Sequence, residues 1–458
     1  MNEGVLYKVD VVDFVWTLIT LLIVTAIAYL IKFKNRNKLE YKYFIAGYWA
    51  KIIGGLSFAL IYTYYYNQVG DTYFYFWSAQ VISDAILTEP MVGLKILFQS
   101  VSVDDPATHY YTQQFFSYVR GDDTFLVLKI TAVLLLLGPK SYFSCTIFFS
   151  FFSFLGIWRF FLVLASKYPS LLKQMAIAAL FIPSVFFWGS GILKDSIVMG
   201  ALGFLLYSIY NMVEKKNFRI KNLIVFVISF YLIFTIKAYI IVSFIPASAL
   251  WIVLTYKNQI KNKVIKFVVA PFIIILAIGG ASSIFYYLGN SSGQYSLDNF
   301  LNTSSVLQSN HYSSNSDSET TNGTRSGYTL GDFEPTIWGV LSKFPAAVNV
   351  TLFRPYLWEV KSPVMIFSAL ESIYFLLFVF INFFRIGLTN IFRSTLQDPF
   401  ILMSLLFAIL FAFAVGFTSY NFGALVRYKI PCIPFFVSAL YIMKHKGELY
   451  REKAKKRI

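Results

Sequence analysis

Long apolar runs alternate with short polar connections from one end of the chain to the other. The runs fall near 11–31, 44–65, 124–139, 142–165, 174–191, 196–213, 222–236, 238–256, 264–288, 363–384, 399–418 and 428–443. Most reach about 18 residues, enough to cross a hydrocarbon core of roughly 30 Å. In lipid every backbone polar group needs an internal partner, so each run is expected to be a helix. The expected fold class is all-α, a polytopic transmembrane helix bundle of about 11–12 spans.

Two stretches depart from this pattern. Between 66 and 123, Tyr73–Leu87 and Met91–Val101 carry apolar residues at helical spacing, broken by Glu89-Pro90. They predict short amphipathic helices on the membrane surface. The second stretch is 289–350, whose Gly289 to Gly327 part is rich in Ser, Asn, Thr and Gly and reads as a mobile excursion. Its Asn-x-Ser/Thr triplets at Asn290, Asn302 and Asn322 are what such a composition produces by chance. No internal repeat or inverted duplication is visible.

Composition reinforces the pattern. The 458 residues are 57% hydrophobic and 19% aromatic but only 14% charged, with a mean hydropathy of +0.62. A soluble domain is usually about a quarter charged. A secreted disulfide scaffold, intrinsic disorder and a soluble enzyme with a single anchor are therefore excluded. The net charge of +16 does not point to nucleic acid, because the cations collect in short connections, as the positive-inside rule expects. Those connections are Lys32/Lys34/Arg36/Lys38/Lys42, Lys215/Lys216/Arg219/Lys221, Lys257/Lys261/Lys263/Lys266 and a basic tail over 444–458. Placed in the cytoplasm, they put the loops 66–123 and 289–350, and the links 189–196, Lys237 and 420–429, on the opposite side. Cys145 and Cys432 fall inside apolar runs, and with only three histidines no metal site is expected. The first apolar run is too long for the core of a cleaved signal. One count does not close. Three runs lie between the loop at 66–123 and the link at 189–196, where an even number is needed. The short Phe125–Gly138 run is the first suspect for a re-entrant or interfacial segment.

Charge at the end of a span is costly, and each instance is a candidate for function. Asp71 follows Gly70 at the aromatic end of the second span, where a carboxylate can act as a base or cap the next helix. The stretch from Pro183 to Ser196 reaches a Gly-Ser-Gly turn and then Lys194-Asp195. There Gly191 permits close approach and a helix start attracts anions; a plain helical hairpin with a snorkelling lysine is the alternative. In Arg354-Pro355-Tyr356-Leu357-Trp358-Glu359, the arginine fork suits phosphate oxygens, and an interfacial Arg–Glu pair is the alternative. Arg427 and Lys429 run against the positive-inside trend, favouring a bound anion, and Lys237 is a similar exception. Pro431 and Pro434 predict a kink there.

Together these gather Lys194, Lys237, Arg354, Arg427 and Lys429 as phosphate-binding candidates, with Asp71, Asp195 and Glu359 as catalytic ones. Cations beside carboxylates suit sugar transfer from a polyprenyl-phosphate donor: the cations stabilise the departing phosphate, and a carboxylate takes the acceptor proton. No metal or cofactor is demanded. On Gly70-Asp71 with surface helices behind it, and on Arg354-Pro355-Tyr356 and Arg427-Tyr428-Lys429, the chain resembles bacterial multi-span glycosyltransferases of the GT-C type and O-antigen or exopolysaccharide polymerases. That resemblance implies lipid-linked sugar transfer outside the cytoplasm, at a bacterial inner membrane. Asp71 would be the base, and Arg354 and Arg427 the phosphate ligands. The implied partners are a polyprenyl phosphate- or diphosphate-linked sugar, membrane lipids and other polysaccharide-assembly proteins. Asp71 is followed by Thr72, where that enzyme type often carries an acidic pair. Two other readings stand beside it: a transporter or flippase for an anionic or lipid-linked substrate, and a non-catalytic subunit of an envelope assembly.

Overall fold

A computed structural model describes residue 7 and residues 9–138, 140–256, 327–334, 336–361 and 363–456. The expected span at 264–288, its basic flank at Lys257–Lys266 and the Ser/Asn-rich stretch with its three triplets lie outside the described residues. What is described is an all-α membrane-type bundle. Seven of its helices are long and apolar enough to cross a membrane, eight if one bent pair counts as a single span. Among the described residues the expected runs appear as whole, bent or broken helices, as individual segments show.

The chain begins with α1 (Val11–Lys34) and α2 (Phe44–Leu60), the latter extended by short turns to Leu39 and Tyr65. Then come α3 (Asp71–Thr88), α4 (Pro90–Phe98) and α5 (Pro106–Thr112). The break at Glu89-Pro90 falls where the sequence puts it. Helix α3 buries one face completely, with Tyr73, Tyr75, Phe76, Ala79 and Ile82 all fully buried, while Phe74, Trp77, Gln80 and Asp84 on the other face keep partial exposure.

Helix α6 (Asp122–Leu135) resolves the odd count of spans. At 14 residues it is about 21 Å long, too short to cross. Asp122 binds Ser100 at one end, and Lys140 just beyond the other pairs with Asp84 of α3. Both ends therefore stay with the loop region. The crossing work falls to α7 (Tyr142–Lys167), followed by a return that is broken at Phe181-Ile182 into α8 (Leu172–Leu180) and α9 (Pro183–Trp188). The expected continuous run at 174–191 is thus two pieces. Proline at the first position of α9 lacks the amide that an unbroken helix would need.

Helix α10 (Lys194–Val213) crosses next, packed on α7 through small residues. A Cβ on Gly156 would lie 2.0 Å from the Gly200 carbonyl oxygen, and one on Gly203 would lie 2.0 Å from that of Gly156. Such contact distances require glycine, the usual device of tight helix pairs in lipid.

α11 (Ile220–Tyr256) comprises two helical arms that meet at a kink at Lys237, whose backbone is non-helical. Straight, its 37 residues would span about 55 Å. Instead Asn222 binds the Asn217 carbonyl and Tyr256 binds that of Val213, while Lys237 between them reaches Asp195 at the far end of α10. The chain doubles back at Lys237, giving the two arms that the sequence divides at that residue.

After residue 326, α12 (Ile337–Ser342) and α13 (Phe344–Phe353) follow. Thr351 of α13 binds the Ala412 carbonyl of α16 (Pro399–Thr418). The expected outer loop therefore ends, over 344–353, as a short helix sunk into the bundle. The remaining elements are α14 (Pro363–Ile386), the amphipathic α15 (Leu388–Gln397), α17 (Phe422–Tyr428) and α18 (Ile433–Lys455). The last two meet at a 66° bend, where Pro431 and Pro434 predict a kink. Helix α18 carries the basic tail as a continuous helix to Lys455. Below, the "basic end" holds the cationic connections at 32–42, 215–221 and 444–456, and the "loop end" is the opposite one.

Candidate functional site

Three irregular pieces of backbone deliver the charges at the loop end. Gly70, at a φ of 142°, turns the chain into α3; a Cβ there would strike the Tyr62 ring at 2.6 Å. The turn places Asp71 in the first helical position, where one carboxylate oxygen accepts from the Thr72 amide at 3.1 Å. Gly70, not Asp71, is the cap residue. Lys194 and Asp195 open α10 directly after the Gly189–Leu193 turn. Lys237 occupies the reversal of α11, and Arg427 lies near the end of α17.

The side chains meet in one network. Arg427 donates through Nη1 to Asp71 at 2.7 Å and through Nε to Asp195. Asp195 also accepts from Lys237, whose ammonium lies 4.5 Å from the centre of the Tyr428 ring. Two carboxylates thus share two cations, drawn from positions as far apart as 71 and 427. Asp195 does not pair with its neighbour Lys194, which instead binds Asp123 at the start of α6. Tyr62, Tyr75, Tyr118 and Tyr428 surround the network, each in electrostatic range of Asp71 and Arg427. Burial, and then the nearby Asp71 carboxylate, push the Tyr118 phenol above its usual range, so it stays protonated at neutral pH.

The network has a closed side and an open side. The Asp195 side chain is 0% exposed and both its oxygens are occupied, whereas Asp71 and Arg427 retain 14% and 13%. Only Asp71 and Arg427 present an edge to an incoming molecule.

Arg354, Glu359 and Lys429 form a separate group. Arg354 grips both oxygens of Glu359 through Nε at 3.0 Å, and the Tyr356 amide donates to the same carboxylate at 2.8 Å. Lys429 is fully buried and donates to Ser372 Oγ at 3.2 Å, near Glu371. Glu371 in turn accepts from the backbone amide and hydroxyl of Ser184. The two groups flank α17, whose Phe422 ring lies 5.3 Å below the Arg354 guanidinium. Arg427 and Lys429, neighbours in sequence, therefore serve different clusters.

Every candidate cation has an acid nearby. Lys194, Lys237, Arg354, Arg427 and Lys429 face Asp71, Asp123, Asp195, Glu359 and Glu371, so five positive charges meet five negative ones. Gly191 is approached by the Phe58 ring, 2.3 Å from where a Cβ would sit, so its small size serves packing. Among the described residues no group of three or more His, Cys, Asp or Glu could hold a metal.

Two participants escape a sequence reading that looks at span ends. Asp123 sits in the first turn of α6, and only its contact with Lys194 marks it. Lys51 is a fully buried cation inside α2, donating to Ser153 Oγ and to the Val185 and Gly189 carbonyls at 2.8–3.0 Å. Its signal is the cost of a charge within a span.

No family model, curated protein or solved structure matches this chain.

Proposed function

We propose that the protein is a membrane glycosyltransferase or polysaccharide polymerase that uses a sugar linked to polyprenyl phosphate or diphosphate, working at the loop end on the non-cytoplasmic face of a bacterial inner membrane. The observation that carries the reading is the half-open Asp71–Arg427 pair, backed by the closed Asp195–Lys237 pair. An acceptor hydroxyl oxygen attacks the anomeric carbon, and the bond from that carbon to the phosphate oxygen breaks. The phosphate leaves with the electron pair, and Asp71 takes the hydroxyl proton. Protonating Asp71 removes one of the two negative charges facing Arg427. The guanidinium then has positive charge to spare as the phosphate gains negative charge. Proton transfer and leaving-group stabilisation are thereby coupled through one salt bridge. Asp195 and Lys237 hold Arg427 in position, and Lys194 and Arg354 flank the entrance as further phosphate contacts.

A transporter or flippase is the second reading. It draws on the breaks at Phe181-Ile182, Lys237 and 429–432, and on Lys51 within a span, because carriers build their sites on discontinuous helices. Purified protein in detergent, given a lipid-linked sugar and an acceptor, separates the two. Transfer in the absence of a sealed compartment supports the enzyme. No transfer in detergent, with movement of the same lipid across proteoliposomes, supports the carrier. For the enzyme, Asp71→Asn is expected to lower transfer by at least about hundredfold, the usual worth of a positioned base, while membrane abundance stays normal. Turnover near that of the wild type would reduce Asp71 to a residue of the first helical turn.

A further inference from the structure

A second, chemically different site lies beside the charged network. The segments between α4 and α6 form an open cavity of about 400 Å³, lined by Gln99, Ser102, Asp104, His109, Gln113 and Phe116 among others. That volume is within the range of small-molecule sites, roughly 300–1,000 Å³. No lysine or arginine lines it; the neighbouring cations are engaged elsewhere, Lys129 with the Gln99 carbonyl and the Phe125 ring and Arg120 with the Ser117 carbonyl, while Asp104 puts a negative charge on its wall. It offers amide, hydroxyl and carboxylate side chains around aromatic rings.

The aromatic wall is fixed in place. Phe116 stacks on Phe74 at 5.1 Å and on Trp77 at 5.4 Å, with interplanar angles of 29° and 26°, and its amide donates to Ser78. Phe115 packs on Phe125 at 5.8 Å. The polar wall is exposed: Asp104 and His109 make a 3.2 Å contact with side-chain exposures of 89% and 57%. Rigid aromatic faces with planar hydrogen-bonding groups at their edge match a ring that has apolar C–H faces and a rim of hydroxyls.

The two sites share walls. Phe116, Ser117 and Val119 line the cavity, while Tyr118 between them faces Asp71, Arg427 and Asp123. Likewise Phe125 lines the cavity, and Asp123, two residues before it, binds Lys194.

We propose that this cavity binds a neutral saccharide, the acceptor glycan of the reaction. The binding stands on the cavity alone; the acceptor role rests on the transfer reading. The division of labour follows from charge: the lipid phosphate goes to the cations and the uncharged hydroxyl-bearing partner to the aromatic cavity.

The full chain in nanodiscs, free of sugar-based detergent, can be probed by saturation-transfer NMR with maltose, cellobiose and N,N′-diacetylchitobiose. At least one disaccharide is expected to give signal that Ser117→Trp, which fills the cavity, abolishes. Gln113→Ala should weaken it about fivefold, the worth of one hydrogen bond, and Arg427→Lys should leave it unchanged. No signal from any of the three sugars, or full signal in Ser117→Trp, overturns the site. In the transfer assay, Ser117→Trp should raise the acceptor KM without changing donor binding. An unchanged acceptor KM sinks the acceptor role while the enzyme survives. Saccharide binding with no transfer by any preparation sinks the enzyme while the binding site survives.

Discussion

The bundle has ion pairs at both ends, and they are built differently. At the basic end, Asp398 caps α16, accepting from the Phe400 and Ile401 amides, and it also takes Tyr168 and Lys446. Nearby, Lys167 pairs with Glu214, which accepts from Trp251 as well. Asp398 at the start of α16 and Lys167 in the last turn of α7 sit where charge complements exposed amides and the helix dipole, while Lys446 within α18 and Glu214 at the end of α10 serve as their partners. At the loop end, the charges stand on a left-handed glycine turn, a helix reversal and a short helix before a bend. Asp195 is fully enclosed and is no cap residue there; Leu193 is. A regular helix end explains the first arrangement. The second costs desolvation that capping does not repay, and such sites are where function is to be sought.

The largest test of this contrast sets Asp195→Asn against Asp398→Asn. The first leaves Lys237 and Arg427 with one carboxylate where there were two. Breaking such a buried pairing costs about 3–5 kcal/mol. Transfer should fall by at least about hundredfold as Arg427 loses its position. The second keeps the cap, because asparagine caps as well as aspartate, and removes only the charge that faces Lys446; it should leave transfer within a factor of about three. Thermal unfolding and initial rates on both variants check this. Equal losses of activity would erase the distinction between the two ends.

What the sequence discloses and withholds follows the same line. The reversal at Lys237, the break at Glu89-Pro90 and the bend near Pro431 were legible because charge and proline inside apolar runs have local consequences. So was the concentration of charge at the loop end. The pairing was not: nothing in the composition says that Asp195 prefers Lys237 and Arg427 to its neighbour Lys194, because that choice depends on how α10, α11 and α17 pack. Helix α6 has the hydropathy of a span but not the length, and only its ties to Ser100 and Asp84 place both ends on one side. The burial of α3 is likewise a product of packing.

Lys51 gives a middle-sized test, since it is a buried cation that holds a site element without belonging to the network. Its ammonium gathers the Val185 and Gly189 carbonyls just before the turn that delivers Asp195. Lys51→Met keeps the stem and removes the donor, leaving acceptors unsatisfied at about 1–3 kcal/mol. Hydrogen exchange over 189–196 should quicken, and transfer should fall by less than in Asp195→Asn. Unchanged exchange in that stretch would detach Lys51 from the site.

The smallest effect belongs to an ion pair that neither end explains. Lys95 and Asp105 meet at 2.6 Å in the loop region, the lysine half exposed, with Asp105 also accepting from the Ala107 amide. The hydrogen bond from Lys95, then that amide, hold the Asp105 carboxyl below its ordinary value. A depressed carboxylate adds stability above its unfolded pKa of about 3.9 and loses it as pH falls through the folded value. Asp105→Asn should therefore melt slightly below the wild type at pH 7, and the gap should close below about pH 4. Exposed pairs contribute little, so a gap at pH 7 as large as that of Asp195→Asn would mean that enclosure and irregular backbone are not what set the loop-end network apart.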